Sequence, residues 1–237
     1  MISLITTYYN EPKHLTHLLE NECSDLFSEI IIVDDGSMEY PALNVVSSFT
    51  DDRIKLYRIK EDLGFNSHGA RNLAMRQCNT EWAYLTDIDR AGIGELINIV
   101  DRYIQSARDK EYYNWFLETE EPTINDFCIR VEDFWISGGY DEELVNYHDG
   151  DKKFIERLEK YLFPTRIPYR TRATRRARNH IIGDVDITTY PNENTLISPK
   201  RDKSRKEKIW EIIENRNNDS NSWVRDSILQ FDWEQLI

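Results

Sequence analysis

The stretch Trp82-Ala83-Tyr84-Leu85-Thr86-Asp87-Ile88-Asp89 decides the fold. Its first five residues are aromatic, apolar or β-branched, the make-up of a buried strand. Its last three place two carboxylates two positions apart. In an extended segment that spacing puts both side chains on one side. Such a pair offers a hard cation two oxygen ligands and leaves positions for substrate phosphates, the arrangement Mg2+ or Mn2+ prefers. Alone the spacing says little, because aspartates also serve turns and helix caps.

The same arrangement recurs upstream. Ile30-Ile31-Ile32-Val33 ends in Asp34-Asp35-Gly36-Ser37. A continuous apolar run suits a strand covered on both faces of a parallel sheet. Ile2–Tyr8 and Arg53–Ile59 read as further strands. His14–Leu26, Ala42–Phe49 and Asn66–Cys78 read as helices between them, and Ile93, Leu96, Ile97, Val100 and Ile104 mark a long helix after Asp89. The alternation predicts an α/β fold with an open mixed, mostly parallel sheet flanked by helices. Ligands of such sheets bind outside the carboxyl ends of the strands.

Beyond residue 110 the pattern changes. Tyr112–Leu117 and Phe127–Val131 read as strands, and Phe134–Ile136 as a helical turn before Gly138-Gly139. Asp151–Leu162 reads as an amphipathic helix with Phe154, Ile155, Leu158 and Leu162 on one face. Arg166–Thr174 and Ile181–Tyr190 read as strands and Lys203–Asn217 as a charged helix. A third acidic cluster, Asp149 and Asp151, follows the Gly-Gly loop. Carboxylates brought together in this way repel, and are tolerated best beside a divalent cation or where one serves as a base.

Composition narrows the class. The 237 residues are 40% hydrophobic and 31% charged, with nine Gly and seven Pro, which excludes collagen-like, coiled-coil and fully disordered chains. No apolar run approaches the roughly 18–20 residues that span a bilayer, and the first residues lack a signal peptide's basic start. Cys23, Cys78 and Cys128 form no Cys-x-x-Cys pair, so neither a disulfide framework nor a zinc site is expected and a reducing, cytoplasmic setting is. The net charge of −13 is uneven: residues 1–165 carry 16 basic and 32 acidic residues, residues 166–208 carry 12 and five. Six arginines lie from Arg166 to Arg178, with Tyr169 among them. They read either as a solvated surface offsetting the acidic body or as a contact for phosphate groups.

Taken in order, these motifs resemble the family-2 glycosyltransferases and related galactosyltransferases of the GT-A fold. The resemblance rests on Ile5-Thr6-Thr7-Tyr8-Tyr9-Asn10-Glu11, on the strand ending in Asp34-Asp35-Gly36-Ser37, on Gly64-Phe65-Asn66-Ser67-His68-Gly69-Ala70-Arg71-Asn72, and on Leu85-Thr86-Asp87-Ile88-Asp89. Gly138-Gly139-Tyr140-Asp141-Glu142 and Tyr147-His148-Asp149-Gly150-Asp151 form a fifth element, similar to the family's base region. The match covers roughly residues 2–160.

The resemblance implies roles. Thr6, Thr7, Tyr8 and Asp34 would hold the base and ribose of a nucleotide-sugar, a UDP-sugar by expectation, with Asp35 closing the pocket. Arg71 would approach the donor's phosphates. Asp87 and Asp89 would coordinate Mn2+ or Mg2+ on the diphosphate, with His180 a candidate third ligand. Asp151, or Asp149 two residues earlier, would be the general base of an inverting displacement. Trp135, Gly139, Tyr140 and Asp141 would face the acceptor. Residues 1–165 would form the catalytic core, with a nucleotide-sugar half over 1–110 and an acceptor and base half over 111–165, and 166–237 a basic C-terminal extension packed on it. The acceptor would be a glycan or, through Arg166–Arg178, a nucleic acid with a hydroxylated base.

One position departs from the family. Its common Glu-Asp pair falls on Gly150-Asp151, so the Glu is missing. That leaves a competing reading, a catalytically degenerate module that binds a nucleotide or glycan; Asp87, Asp89 and Asp151 oppose it. A haloacid-dehalogenase-like phosphatase would carry Asp-x-Asp on its first strand, and a nucleotidyltransferase would need a Gly-rich loop where Tyr9-Asn10-Glu11-Pro12 stands.

Overall fold

The computed structural model describes residues 1–64, 66–117, 122–142, 150–173, 229 and 231–237. Among the described residues nine strands form one sheet: β1 (Ile2–Tyr8), β2 (Phe27–Asp34), β3 (Ile54–Ile59), β4 (Trp82–Asp87), β5 (Arg90–Ala91), β6 (Glu111–Leu117), β7 (Pro122–Arg130), β8 (Phe163–Ala173) and β9 (Trp233–Gln235). Their order is β5-β8-β6-β7-β4-β1-β2-β3-β9. The block β3-β2-β1-β4 is parallel throughout. β7 then runs antiparallel to β4 and to β6, and β8 lies parallel to β6.

Six helices among the described residues cover the sheet: α1 (Pro12–Asn21), α2 (Leu43–Val46), α3 (Ser67–Gln77), α4 (Ile93–Ile104), α5 (Val131–Ile136) and α6 (Gly150–Leu158). The apolar run of β2 shows why two layers form. Ile30 and Ile32 pack with Leu15, Leu18 and Val100 on one face, while Ile31 and Val33 pack with Leu73, Ala74 and Phe134 on the other. Successive strand residues point to opposite faces, so an unbroken apolar run requires cover on both.

Several boundaries differ from the sequence reading. α1 ends at Asn21, not Leu26. Glu22 leaves the helix and its carboxylate accepts the N–H groups of Gly92 and Gly94, each at 3.1 Å, satisfying the open first turn of α4. β7 is longer than expected and α5 starts at Val131. The two-residue β5, directly after Asp89, pairs with Arg172 and Ala173 at the end of β8. β9 is a return of the chain end onto the edge of β3, where Trp233 pairs with Ile59. The described parts of 166–237 therefore belong to the same sheet: Arg166–Ala173 as the greater part of β8, and β9 on the opposite edge. The expected strand Ile181–Tyr190 and helix Lys203–Asn217 lie outside the described residues.

Candidate active site

β1 sits between β2 and β4, and the chain crosses back over it to start β4. That is the switch point at which open α/β sheets form a crevice. Its rim is set by register: Thr7 lies opposite Asp87, and Tyr8 opposite Asp34.

Asp34 ends β2 and is fully buried. Its Oδ1 accepts the Ser37 N–H and its Oδ2 the Ala42 N–H, both at 2.8 Å. The carboxylate thus ties the loop 35–41 into one shape. Burial raises its pKa, against the pull of these bonds and of Arg58. The Tyr8 hydroxyl donates to the Tyr40 carbonyl on the same loop. At Gly36, φ is +75° and a Cβ would stand 2.5 Å from the Glu61 carbonyl oxygen, so only glycine fits. Asp35 Oδ2 accepts the Asn66 N–H at 2.9 Å, and its buried Oδ1 has no hydrogen-bond partner among the described residues. Burial pushes Asp35 up to about 7, partly offset by Asn66 and reinforced by Asp34 and Asp62. The Thr6 hydroxyl is likewise buried without a partner among the described residues.

Arg71, on α3, is 3% exposed and forks between two acids. Nη2 donates to Asp87 Oδ1 at 2.6 Å, and Nη1 donates to Asp151 Oδ1. Burial draws the guanidinium's pKa down, but Asp151, Tyr140, Asp87 and Asp126 outweigh it and the net shift is upward. Asp87 Oδ2 accepts from Arg90 Nη2 at 3.2 Å and from Asn125 Nδ2. Behind it, fully buried Asp126 on β7 accepts the Thr86 hydroxyl at 2.8 Å and the Asp87 N–H at 3.1 Å. Its other oxygen lies 2.6 Å from Arg90 Nε, an ion pair without hydrogen-bond alignment. Burial raises the Asp126 pKa, while Arg90 pulls it down and Asp87 pushes it further up. Asp89 follows β4 by two residues and is 8% exposed.

The residues expected at the acceptor divide. Tyr140 is not an open ring. It is fully buried, stacked on Phe154 at 4.2 Å and on His68 at 5.4 Å. Only its hydroxyl reaches toward the site, 3.5 Å from Arg71 Nη1. Trp135 is half-buried, edge-on to Phe134 at 4.9 Å. Gly139 has φ +72°, and a Cβ there would meet Asn72 Oδ1 at 2.8 Å. Asp141 is buried beside it. Asp149 and His180 lie outside the described residues, as do His148, Arg175, Arg176 and Arg178. Arg166, Arg170 and Arg172 occupy the exposed side of β8, alternating with inward Ile167 and Thr171.

Three residues escaped the sequence reading: Arg90, Asn125 and Asp126. A signal existed for Asp126, a carboxylate inside a strand that must be buried and therefore paired.

The donor set fits a hard cation as a shared site. Among the described residues no group of three or more His, Cys, Asp and Glu converges, and both Asp87 oxygens already accept hydrogen bonds. Asp89 and Asp87 would supply one or two carboxylates, and Mg2+-type ions take the rest of their shell from water and substrate phosphates.

The parallel 3-2-1-4 block and the antiparallel step to β7 form a mixed, mostly parallel sheet similar to that of GT-A glycosyltransferase structures. Residues 3–91 match the family model described as glycosyl transferase family 2. Among solved structures, the chain is similar to residues 1–349 of TarS from S. aureus, with TM-score 0.62 and 17% identity over 73% of this chain and 60% of that one. TarS in complex with UDP-GlcNAc gives TM-score 0.61 and 17% identity over 73% and 58%. A mannosyltransferase from Pyrobaculum calidifontis in complex with GDP-Man and Mn2+ gives 0.58 and 16% over 82% and 68%. The chain thus spans 60% of the TarS 1–349 structure. No curated protein sequence matches it. No helix among the described residues is long and apolar enough to cross a membrane.

Proposed function

We propose that the protein is a metal-dependent inverting glycosyltransferase that moves a sugar from a nucleoside-diphosphate sugar to an acceptor hydroxyl, with Asp151 as general base. The observation that carries this is the Arg71 fork: one guanidinium holds Asp151 and Asp87 at its two ends. The acid that would take the acceptor proton and the acid at the diphosphate corner are thereby oriented by one rigid group. In the displacement, the acceptor oxygen bonds to the anomeric carbon as the bond from that carbon to the diphosphate oxygen breaks. The acceptor proton passes to the Asp151 carboxylate. Arg71 and Arg90 stabilise the charge that gathers at the corner. A divalent cation held by Asp89 and Asp87 would neutralise the leaving diphosphate.

The loop tied by Asp34 is the base and ribose site in this reading. Asp35 Oδ1 suits a base N–H, as uracil and guanine both present. Solved relatives of the fold bind UDP, UDP-GlcNAc or GDP-Man. The acceptor would be a glycan hydroxyl; the arginines exposed on β8 put a hydroxylated DNA base in the same acceptor screen.

The test is nucleoside diphosphate release from a panel of nucleotide-sugars with Mn2+, water standing in for the acceptor. Release from one donor, lost with Asp89→Ala and on chelation, is the expected result. No release combined with no metal-dependent binding of any nucleotide-sugar would reject the reading.

A further inference from the structure

We infer that His68 is a positioning residue for Asp151, filling the space that a side chain at position 150 would take; this rests on the reading of Asp151 as the base. α6 starts at Gly150, and a Cβ built there would lie 2.2 Å from Cε1 and 2.4 Å from Nε2 of the His68 ring. No contact of that length survives, so a side chain at 150 and an imidazole at 68 exclude each other. The ring cannot simply step aside. It is 1% exposed and stacks on Tyr140 at 5.4 Å with the planes 27° apart. Tyr140 in turn stacks on Phe154 of α6 at 4.2 Å. His68 is therefore held from behind by the same helix whose first residue it meets.

His68 and Arg71 stand three residues apart on α3, one turn along the same face. Gly150 and Asp151 are consecutive on α6. His68 meets the first and Arg71 the second. Two side chains of one helix thus meet two successive residues of the other: the ring sets how closely α6 approaches α3, and the guanidinium sets where the Asp151 carboxylate points. A larger residue at 150 would lift the start of α6 and draw Asp151 off Arg71. The departure at Gly150 is on this account reciprocal to His68: the flat ring occupies the volume, and the base keeps its place. The donor loop is held by Asp34 through its own backbone N–H groups, and its tie through Asp35 meets α3 at the Asn66 N–H, two residues before His68.

The experiment compares wild type, His68→Ala, Gly150→Ala and the double variant, using Mn2+ and UDP-GlcNAc or GDP-mannose, whichever donor the wild type hydrolyses. A displacement of about 1 Å at the base costs up to roughly a hundredfold. Gly150→Ala should lower kcat at least about tenfold while donor KM stays within about twofold. In the His68→Ala background the added methyl should cost little or improve kcat, since the space is free. Urea denaturation of the four proteins checks folding and should show the same coupling in stability. An equal kcat cost for Gly150→Ala in both backgrounds would overturn the proposal. So would coupling in urea stability with kcat unaffected, which leaves packing alone. Asp151→Asn separates the two levels: undiminished release there removes the base itself, whatever positions 68 and 150 do.

Discussion

Asn72 grips Tyr140 at both ends of its backbone: Oδ1 accepts the Tyr140 N–H at 2.8 Å, and Nδ2 donates to the Tyr140 carbonyl at 2.9 Å. The amide behaves as a neighbouring strand would. Nδ2 also reaches Glu142 Oε1 at 2.8 Å, and the Glu142 carboxylate accepts the Leu229 N–H. One buried side chain on α3 therefore shapes the Gly-Gly turn and links it to the returning chain end.

Asn72→Ala leaves the N–H and carbonyl of Tyr140 unpaired in the interior. Each such group costs about 1–3 kcal/mol. The expected loss is on the order of 2–4 kcal/mol, read as a drop in the urea midpoint with an unchanged slope. Asn72→Asp keeps one acceptor and loses the donor, so its loss should be comparable.

Arg71 offers a different test. Arg71→Lys keeps the charge but cannot reach two carboxylates in a fork. Nucleoside diphosphate release should fall about tenfold or more in kcat, and further in Arg71→Ala, where Asp151 and Asp87 lose their shared partner. Equal rates for wild type and Arg71→Lys would show that the fork plays no part in turnover.

Asp35 sets a pH dependence. Its carboxyl rises from 3.8 to about 7 on folding, chiefly through burial. Between those values the unfolded chain has released the proton and the folded chain retains it. Stability therefore falls as pH rises from about 4 to 7 and levels off above. Asp35→Asn removes this contribution. The difference in urea stability between Asp35→Asn and wild type should be smallest near pH 4 and grow to a few kcal/mol, in order of magnitude, by pH 8. A flat difference across that range would contradict the burial of an ionisable Asp35.

The chain end closes an edge. Leu236 N–H donates to the Leu56 carbonyl at 2.8 Å, Lys60 N–H donates to the Asp232 carbonyl at 2.9 Å, and Trp233 lies edge-on to Tyr57 at 6.0 Å. Removing residues 229–237 bares the β3 edge and its unpaired groups. Lower thermal stability and concentration-dependent association in sedimentation are expected. Trp233→Ala alone should be milder, since the backbone pairing of β9 remains.

Much of the fold was legible because it depends on local pattern. The apolar run Ile30–Val33 states that both faces are covered, and Trp82–Asp89 states where a strand ends in acid. The sequence extends α1 to Leu26 because Leu26 continues its apolar spacing, yet Leu26 is 37% exposed and Glu22 turns away to cap α4. That choice depends on α4, which lies 70 residues on. Strand β9 carries three residues, too few to show a period. Tyr140 was legible as part of a motif but not as a core ring, because its burial is decided by Phe154 and His68.

By itself, the sequence determined the α/β alternation, the two-sided cover of the parallel strands and the acids at strand ends, since each follows from residues within one or two turns of chain. The tertiary structure decided how those acids are used. It turned both oxygens of Asp34 onto its own loop, joined Asp87 to Asp151 through Arg71, set Asp126 behind Asp87, and gave the space beside Gly150 to His68. Apart from the Asp34 bonds, which reach backbone N–H groups three and eight residues on, these contacts join residues 16 to 82 positions apart, and nothing local specifies them. They exist because burial removes water from each polar group, and only a partner brought by the fold can replace it.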